Sequence, residues 1–241
     1  MKLSTSWYSP RLEQDVTVAR WGEVGTPVLV FPTAGGDAEE IERFKLVDAV
    51  APLLESGRIK LYSCDSVAGR TWLRGERTYQ HRAWIQNQFH QYVSHELVPY
   101  IRHDCKTPDL LVIAAGASIG AFNALAVLCR FPDAFSKAIC MSGTYNLERF
   151  LEGPPTLDFY YASPHHFVPH LKAGSLDVLR HRFVVLASGE GRAEDIGESW
   201  RMARILGDKR IPNRVDSWGK DWVHDWPTWR NMLPKYLGEL A

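Results

Sequence analysis

The sequence carries no surplus of charge of either sign. Its 241 residues include 28 Lys and Arg against 28 Asp and Glu, so the formal net charge is zero. A protein whose main partner is nucleic acid or an anionic membrane usually carries an excess of basic residues, and we therefore expect neither partner. Hydrophobic residues make up 45% of the chain and charged residues 23%, which is the balance of an ordinary globular protein with a large core.

Cysteine is scarce, and its spacing excludes the common zinc sites. The four cysteines, Cys64, Cys105, Cys129 and Cys140, form neither a C-x-x-C pair nor a Cys/His ligand spacing. We therefore expect no metal site. The motifs G-K-[ST] and G-x-G-x-x-G are missing as well, which argues against a loop that cradles phosphate.

Long apolar runs are also missing. The first ten residues lack the apolar segment of a signal peptide, and no stretch reaches the length of a membrane span. We therefore expect a cytoplasmic protein with reduced cysteines. The chain does have nine tryptophans. This excess suggests that some of the tryptophans lie in an interface between copies of the chain, so a homo-oligomer is one expectation.

Strand-like and helix-like segments alternate along most of the chain. Runs typical of strands cover residues 15–21, 27–31, 59–64, 111–115, 137–141, 182–187 and 213–218. Helical periodicity covers residues 38–56, 79–101, 198–206 and 226–240, and another helix follows Gly120, whereas residues 69–75 are predicted to be a loop. This alternation predicts an α/β fold over residues 1–241, with a mostly parallel central sheet and helices on both faces in one domain.

Residues 144–175 depart from that alternation. Four prolines interrupt regular structure in this segment. Large aromatic side chains are unusually dense for a linker: Phe150, Phe159, Tyr160, Tyr161 and Phe167. We interpret the segment as a cap-like insertion over an edge of the sheet, or as a surface loop held by its aromatics. Four aromatic residues could line a pocket for a modest apolar group: Trp72, Phe159, Tyr160 and Tyr161. The alternative is that they only pack in the core.

A nucleophile elbow is predicted between the strand at 111–115 and the helix after it. Residues 116–120 read Gly-Ala-Ser-Ile-Gly and match the pattern G-x-S-x-G. In that turn the serine has a strained backbone, and the glycines let strand and helix approach closely. Ser118 is therefore the candidate nucleophile, and the Ile119 N–H is directed at the same place. The competing interpretation is an ordinary turn in which Ser118 is a helix N-cap.

A serine nucleophile needs a base and an acid, and both follow later in the chain. The base takes the hydroxyl proton, and the acid fixes the tautomer of the base and stabilises its charged form. In α/β-hydrolases the chain order is Ser, then Asp or Glu, then His. His224 follows the last predicted strand and is the candidate base. Glu194, three residues after Gly191, is the favoured acid, while Asp195 is the second candidate and Glu190 competes with both.

Hydrolysis also needs donors for the oxyanion that develops on the substrate. The Ile119 N–H is one candidate, and the loop after the strand at 27–31 supplies the second in this class of enzyme. That loop reads Thr33-Ala34-Gly35-Gly36 and is small enough for its backbone to approach a substrate oxygen. We favour the Ala34 N–H as the second donor; the alternative is that Gly35-Gly36 is only a flexible turn.

The chain resembles the Putative esterase (esterase D-like) family of α/β-hydrolases, which includes S-formylglutathione hydrolase and the mycobacterial mycolyltransferases. The stretches that carry the resemblance are Phe31-Pro32-Thr33-Ala34-Gly35-Gly36, Gly116-Ala117-Ser118-Ile119-Gly120 and His224-Asp225-Trp226-Pro227-Thr228-Trp229. The similarity spans the chain from about Val28 to the C-terminus. It implies an α/β-hydrolase fold, a Ser/acid/His triad, an oxyanion hole and no metal or organic cofactor. The acid loop departs from the family pattern, because two adjacent acids compete there.

The residues and the resemblance together predict a serine carboxylesterase. It hydrolyses small-molecule esters or thioesters through an acyl-enzyme, with Ser118, His224 and Glu194 as the triad and Ala34 and Ile119 as oxyanion donors. Two alternatives stay open. One is an acyltransferase that uses the same triad, and the other is a catalytically silent hydrolase-like protein that acts by binding a partner.

Overall fold

Eight strands form one sheet in the computed structural model of the chain, which describes residues 1–75 and 77–241. The strands are β1 Lys2–Ser9, β2 Gln14–Trp21, β3 Thr26–Phe31, β4 Ile59–Cys64, β5 Val112–Ala117, β6 Phe135–Met141, β7 Phe183–Ser188 and β8 Asn213–Ser217. Their order across the sheet is β1-β2-β4-β3-β5-β6-β7-β8. Strand β2 is antiparallel to both its neighbours, and the other pairings are parallel. The predicted mostly parallel sheet is therefore confirmed.

Residues 1–75 and 77–241 also contain twelve α-helices. They are α1 Glu40–Arg43, α2 Leu46–Ala49, α3 Ala51–Glu55, α4 Val67–Arg74, α5 Tyr79–Tyr92, α6 Val98–Asp104, α7 Ile119–Arg130, α8 Leu157–Ala162, α9 Pro164–Phe167, α10 Ser175–Leu179, α11 Ile196–Asp208 and α12 Trp226–Leu240. A π-helical turn, Val93–Leu97, joins α5 to α6, and 3-10 turns cover Glu148–Phe150 and Val168–His170. Within residues 1–75 and 77–241, no helix has both the length and the apolar character needed to cross a membrane.

Helices cover both faces of the sheet, as predicted. Helices α4 to α7 and α11 pack on one face, while α1, α2 and α12 pack on the other. The side chains of β5 alternate between these two cores: Val112 and Ala114 face the first, and Ile113 and Ala115 face the second. Because both faces of β5 are buried, its sequence is a continuous apolar run rather than an alternating one.

The prediction of a loop at residues 69–75 is wrong, because most of this stretch belongs to α4. The glycines at its two ends suggested a loop, but each has another role. A Cβ at Gly69 would lie 2.9 Å from the Ala34 Cα, so this glycine lets the helix pack against the loop after β3. Gly75 follows the last helical residue with a positive φ of 64°, which is a common way for a helix to end.

The helix predicted over residues 38–56 is divided into three short helices. Lys45 has a φ of 61°, and this left-handed residue separates α1 from α2. Apolar periodicity does not detect such a break, since the buried positions continue on both sides.

The helix predicted over 79–101 extends to Asp104 through the π-helical turn. Strand β1 was not predicted, because most of its residues are exposed and it lies at the edge of the sheet.

The aromatic segment between β6 and β7 forms short helices. Helix α8 packs on α5, and Phe159 of α8 meets Trp72 of α4 edge to face, with ring centroids 6.4 Å apart. Phe159 and Leu147 belong to one apolar cluster with Ile119, the first residue of α7. The segment therefore places apolar side chains beside the start of α7.

Candidate active site

Ser118 occupies the sharp turn between β5 and α7. Its φ is 57° and its ψ is −122°, a strained combination for a residue with a side chain. Two glycines make this turn sterically feasible. A Cβ at Gly116 would lie 2.4 Å from the carbonyl oxygen of Gly120, and a Cβ at Gly120 would lie 2.5 Å from that of Phe31. The surrounding chain holds the turn in place, because the Ser118 N–H donates to the Met141 carbonyl (3.0 Å).

Glu194 and His224 lie side by side. The Glu194 Oε2 atom is 3.7 Å from the His224 Nδ1 atom, and the exposed fraction of the side chain is 1% for Glu194 and 23% for His224. The imidazole also packs edge to face against Trp229, with centroids 5.3 Å apart. A buried carboxylate beside Nδ1 can fix the tautomer of the ring and stabilise its charged form.

Two serine hydroxyls hold the Glu194 carboxylate. The Ser142 hydroxyl donates to Oε1 (2.5 Å) and the Ser188 hydroxyl donates to Oε2 (3.0 Å). The Trp229 Nε1–H in turn donates to the Ser142 oxygen (3.0 Å). The indole that packs on the imidazole therefore also orients the support of the carboxylate, so one residue positions both members of the pair.

The loop of Glu194 and the loop of His224 are joined through their backbones. The Gly191 N–H donates to the Trp222 carbonyl (2.9 Å), and the His224 N–H donates to the Arg192 carbonyl (3.1 Å). Glycine is required for this approach, since a Cβ at Gly189 would lie 2.1 Å from the Trp222 carbonyl oxygen. We call residues 189–194 and 219–224 the paired loops.

The other two candidate acids are directed elsewhere. Asp195 is the N-cap of α11: it accepts a hydrogen bond from the Gly197 N–H (2.9 Å) and pairs with Arg201 (3.1 Å). Glu190 accepts a hydrogen bond from the Ser217 hydroxyl. The geometry therefore favours Glu194 over Asp195 and Glu190 as the partner of His224.

Ala34 and Ile119, the two candidate oxyanion donors, belong to the same apolar cluster. Ala34 lies in a tight turn closed by a hydrogen bond from the Gly36 N–H to the Thr33 carbonyl (3.1 Å). Ile119 begins α7, where the first amides have no acceptor within the helix. The fold thus brings the two predicted donors together at the end of β3 and the start of α7.

Trp72 and Phe159 lie in the apolar cluster around Ile119, whereas Tyr160 and Tyr161 lie outside it. The two tyrosines line a separate groove beside Arg130 and the end of α7. The Trp72 indole N–H donates to the Gln86 side-chain oxygen (3.1 Å). Of the four aromatic residues considered as pocket walls, Trp72 and Phe159 are therefore placed beside the elbow.

Sequence analysis assigned no role to four residues that support these groups. Ser142, Ser188 and Trp229 support the Glu194–His224 pair, and the Glu40 carboxylate accepts hydrogen bonds from Thr33 in the loop after β3. The two serines carried a weak signal, because Ser142 directly follows β6 and Ser188 ends β7, at the edge of the sheet where Ser118 lies. Glu40 carried none, since an acidic residue in the first turn of a helix is common without a special role.

Among the described residues, no hydrogen bond joins the Ser118 hydroxyl to the His224 ring. The features present are the Glu194–His224 pair, the strained backbone of Ser118 and the loop after β3 that carries Ala34. Catalytic hydrogen bonds are often long before a substrate binds, so this geometry is compatible with a triad.

The sequence matches the family model described as Putative esterase over residues 58–240. No curated protein matches it. Among solved structures, a ferulic acid esterase superposes with a TM-score of 0.74 at 16% identity, over 98% of this chain and 96% of that chain. An S-formylglutathione hydrolase from Agrobacterium tumefaciens superposes with a TM-score of 0.74 at 14% identity, over 99% of this chain and 94% of that chain.

The enterobactin esterase FES from Shigella flexneri superposes with a TM-score of 0.71 at 17% identity, over 100% of this chain and 59% of that chain. Structural likeness at such identities carries information about the fold. The α/β-hydrolase fold predicted from the sequence is thereby confirmed.

Proposed function

The chain belongs to the Putative esterase family, and we propose that it is a serine carboxylesterase acting on esters or thioesters of small molecules. Family membership supports ester hydrolysis as the reaction. The observation that carries the finer proposal is the buried Glu194 carboxylate 3.7 Å from His224 Nδ1. A carboxylate in that position serves a basic imidazole, and the strained Ser118 after β5 is the hydroxyl proposed for that base to activate.

In the proposed reaction, Ser118 attacks the carbonyl carbon of the ester. A bond forms between Oγ and that carbon while the hydroxyl proton moves to His224 Nε2, and the carbonyl oxygen becomes an oxyanion. The N–H groups of Ala34 and Ile119 donate to this oxyanion, and loss of one such donor typically lowers kcat by about 10²–10³-fold. The alcohol or thiol then leaves with the proton from His224. Water next attacks the acyl carbon and gives a proton to His224 Nε2, and the bond from that carbon to the Ser118 Oγ breaks as Oγ takes the proton back, which releases the acid.

The apolar cluster around Ile119 is the proposed site of the acyl group. Its buried members are Ala83, Ile119, Phe122, Leu147 and Phe159, with Ala34, Trp72 and Leu151 packed against them. Ala34 and Ile119, the proposed oxyanion donors, are themselves members of this cluster, so we place an apolar group bound to the reacting carbonyl against it. We therefore propose acyl groups of modest size as the preferred substrates.

Replacement of the nucleophile tests the proposal. In Ser118→Ala, hydrolysis of p-nitrophenyl butyrate falls by at least about 10³-fold, because no hydroxyl remains to form the acyl-enzyme. A fluorophosphonate labels the unchanged protein at the peptide containing Ser118 and does not label the variant. The control is Ser56→Ala, since Ser56 is exposed and its hydroxyl donates to the carbonyls of Pro52 (2.7 Å) and Leu53 (3.3 Å) in the preceding helix α3. Full turnover by Ser118→Ala would refute the assignment.

The same assay separates the two alternatives. An acyltransferase gives a mixture of acid and new ester when an acceptor alcohol is added, in a ratio that rises with acceptor concentration. A silent binding protein neither turns over ester nor reacts with the fluorophosphonate.

A further inference from the structure

Glu40 is a buried carboxylate outside the proposed triad. It lies in the first turn of α1 and is 5% exposed. Its Oε2 atom accepts a hydrogen bond from the Thr33 N–H (2.7 Å), and its Oε1 atom accepts one from the Thr33 hydroxyl (2.6 Å). Within residues 1–75 and 77–241, no Lys, Arg or His forms a salt bridge with it. Burial raises the pKa of Glu40 from its ordinary value, and the hydrogen bonds from Thr33 act in the opposite direction.

Burying this carboxyl group costs free energy of folding, because a buried carboxylate without an ion pair loses its hydration. Both of its oxygens accept hydrogen bonds from one residue, Thr33, which directly precedes Ala34. Gly36 makes room for the carboxylate, since a Cβ there would lie 2.5 Å from it. Because the backbone and the side chain of Thr33 both donate to one carboxyl group, the two bonds together fix the orientation of Thr33.

The far side of the same turn is held by α4. The Arg70 guanidinium donates to the Gly36 carbonyl (3.1 Å), and Gly69 packs directly on Ala34. Glu40 fixes the residue before Ala34, and α4 fixes Ala34 and the end of the turn. The Ala34 N–H is therefore held in one direction before any substrate arrives.

We propose that Glu40 is a positioning residue that holds the Thr33–Gly36 turn so that the Ala34 N–H meets the oxyanion. The inference rests on the proposed esterase function. A preorganised donor acts on charge that exists only in the transition state. Loosening the turn therefore lowers kcat and leaves KM nearly unchanged, whereas a residue that shapes the substrate pocket would change KM.

Four variants test this role. Glu40→Ala removes both acceptors, and Thr33→Val removes only the hydroxyl bond. Glu40→Gln keeps an oxygen for the Thr33 N–H and offers an NH₂ to the Thr33 hydroxyl. The matched control is Asp104→Asn. Asp104 binds Lys60 (2.8 Å) and Tyr62 (2.6 Å) near the start of β4. This is the amino-terminal end of the parallel strands, whereas Ser118 lies at their carboxyl end.

The measurements are kcat and KM for p-nitrophenyl butyrate, and hydrogen–deuterium exchange of the peptide spanning residues 32–37. In Glu40→Ala we expect kcat to fall at least about tenfold, toward the loss of one oxyanion donor, with KM within about threefold. Exchange of the peptide accelerates. Thr33→Val loses about two- to fivefold in kcat, and Glu40→Gln retains most of its turnover. Asp104→Asn changes neither kcat nor exchange of this peptide.

Several results overturn the proposal. Unchanged exchange in Glu40→Ala shows that the turn does not depend on Glu40, and accelerated exchange with unchanged kcat shows that the turn does not matter for catalysis. Equal losses in Glu40→Gln and Glu40→Ala show that an ionisable group, rather than hydrogen-bond geometry, is needed. An unchanged chain that neither hydrolyses esters nor reacts with a fluorophosphonate refutes the esterase and, with it, the catalytic role of Glu40. The exchange data separately report whether Glu40 fixes the turn.

Discussion

Replacement of Glu194 by glutamine tests the central pair of the site. The carboxylate accepts hydrogen bonds from the hydroxyls of Ser142 and Ser188 and lies 3.7 Å from His224 Nδ1. A carboxamide has one acceptor oxygen and one NH₂ group, so it cannot serve two hydroxyls and the ring in the same way. When the NH₂ group faces Nδ1, it favours the imidazole tautomer that has its proton on Nε2, which cannot accept the proton of Ser118.

The expected loss is large because the wrong tautomer stops proton transfer while binding survives. Removing the negative charge of a triad acid at constant shape lowers kcat by about 10⁴-fold in the best-studied serine protease. At 1.36 kcal/mol for each factor of ten, this corresponds to about 5 kcal/mol of transition-state stabilisation. For Glu194→Gln we expect kcat to fall by about 10³- to 10⁴-fold, while KM changes little.

The neighbouring residue supplies the control. Asp195 caps α11, and its pairing with the exposed Arg201 is worth little. Asparagine caps a helix about as well as aspartate, so Asp195→Asn should keep kcat within about twofold. The assay is steady-state hydrolysis of p-nitrophenyl butyrate, with thermal melts to confirm folding. A severe loss in Asp195→Asn together with near-normal turnover in Glu194→Gln would reverse the assignment of the acid.

Two further predictions concern packing and pH. In Gly189→Ala the new Cβ would lie 2.1 Å from the Trp222 carbonyl oxygen, so we expect the paired loops to separate, with a loss of turnover and about 1–3 kcal/mol of stability in melts. Gly207→Ala, where nothing lies within 4 Å, should instead stabilise α11 by about 0.5–1 kcal/mol; equal effects would contradict the argument. Burial lowers the pKa of His90 from 6.5 to about 3, so the unfolded chain binds a proton there that the native chain does not. The free energy of unfolding should therefore fall by about 1.4 kcal/mol per unit as the pH drops below 6.5 toward 3. Urea unfolding of His90→Gln should show a shallower decline, and identical slopes would disprove this role.

Much of the architecture could be predicted because burial leaves a direct record in the sequence. The apolar run of β5 requires cover on both faces, and the spacing of apolar residues in α12 requires one buried stripe. Local backbone geometry leaves a weaker record. The left-handed Lys45 that breaks the first helical region is an ordinary residue type, and Gly69 serves packing although glycine usually suggests a loop.

The candidate site divides in the same way. The elbow could be recognised because glycine is needed on both sides of Ser118, and His224 because it follows the last strand. The roles of these residues stay predictions until the variants are measured. Ser142 gave only a weak signal and Glu40 gave none, since their partners are 52 and seven positions away along the chain. Only the folded structure shows which carboxylate each hydroxyl meets.

The paired loops limit where the protein can vary. Because they share backbone hydrogen bonds and glycine contacts, an insertion in one would displace the other and move His224 together with its acid. The segment 144–175 shares none of these backbone bonds in the part of the chain that is described. Changes in substrate range, in evolution or in the laboratory, should therefore accumulate in 144–175, while the half of the site built on β7 and β8 keeps its length.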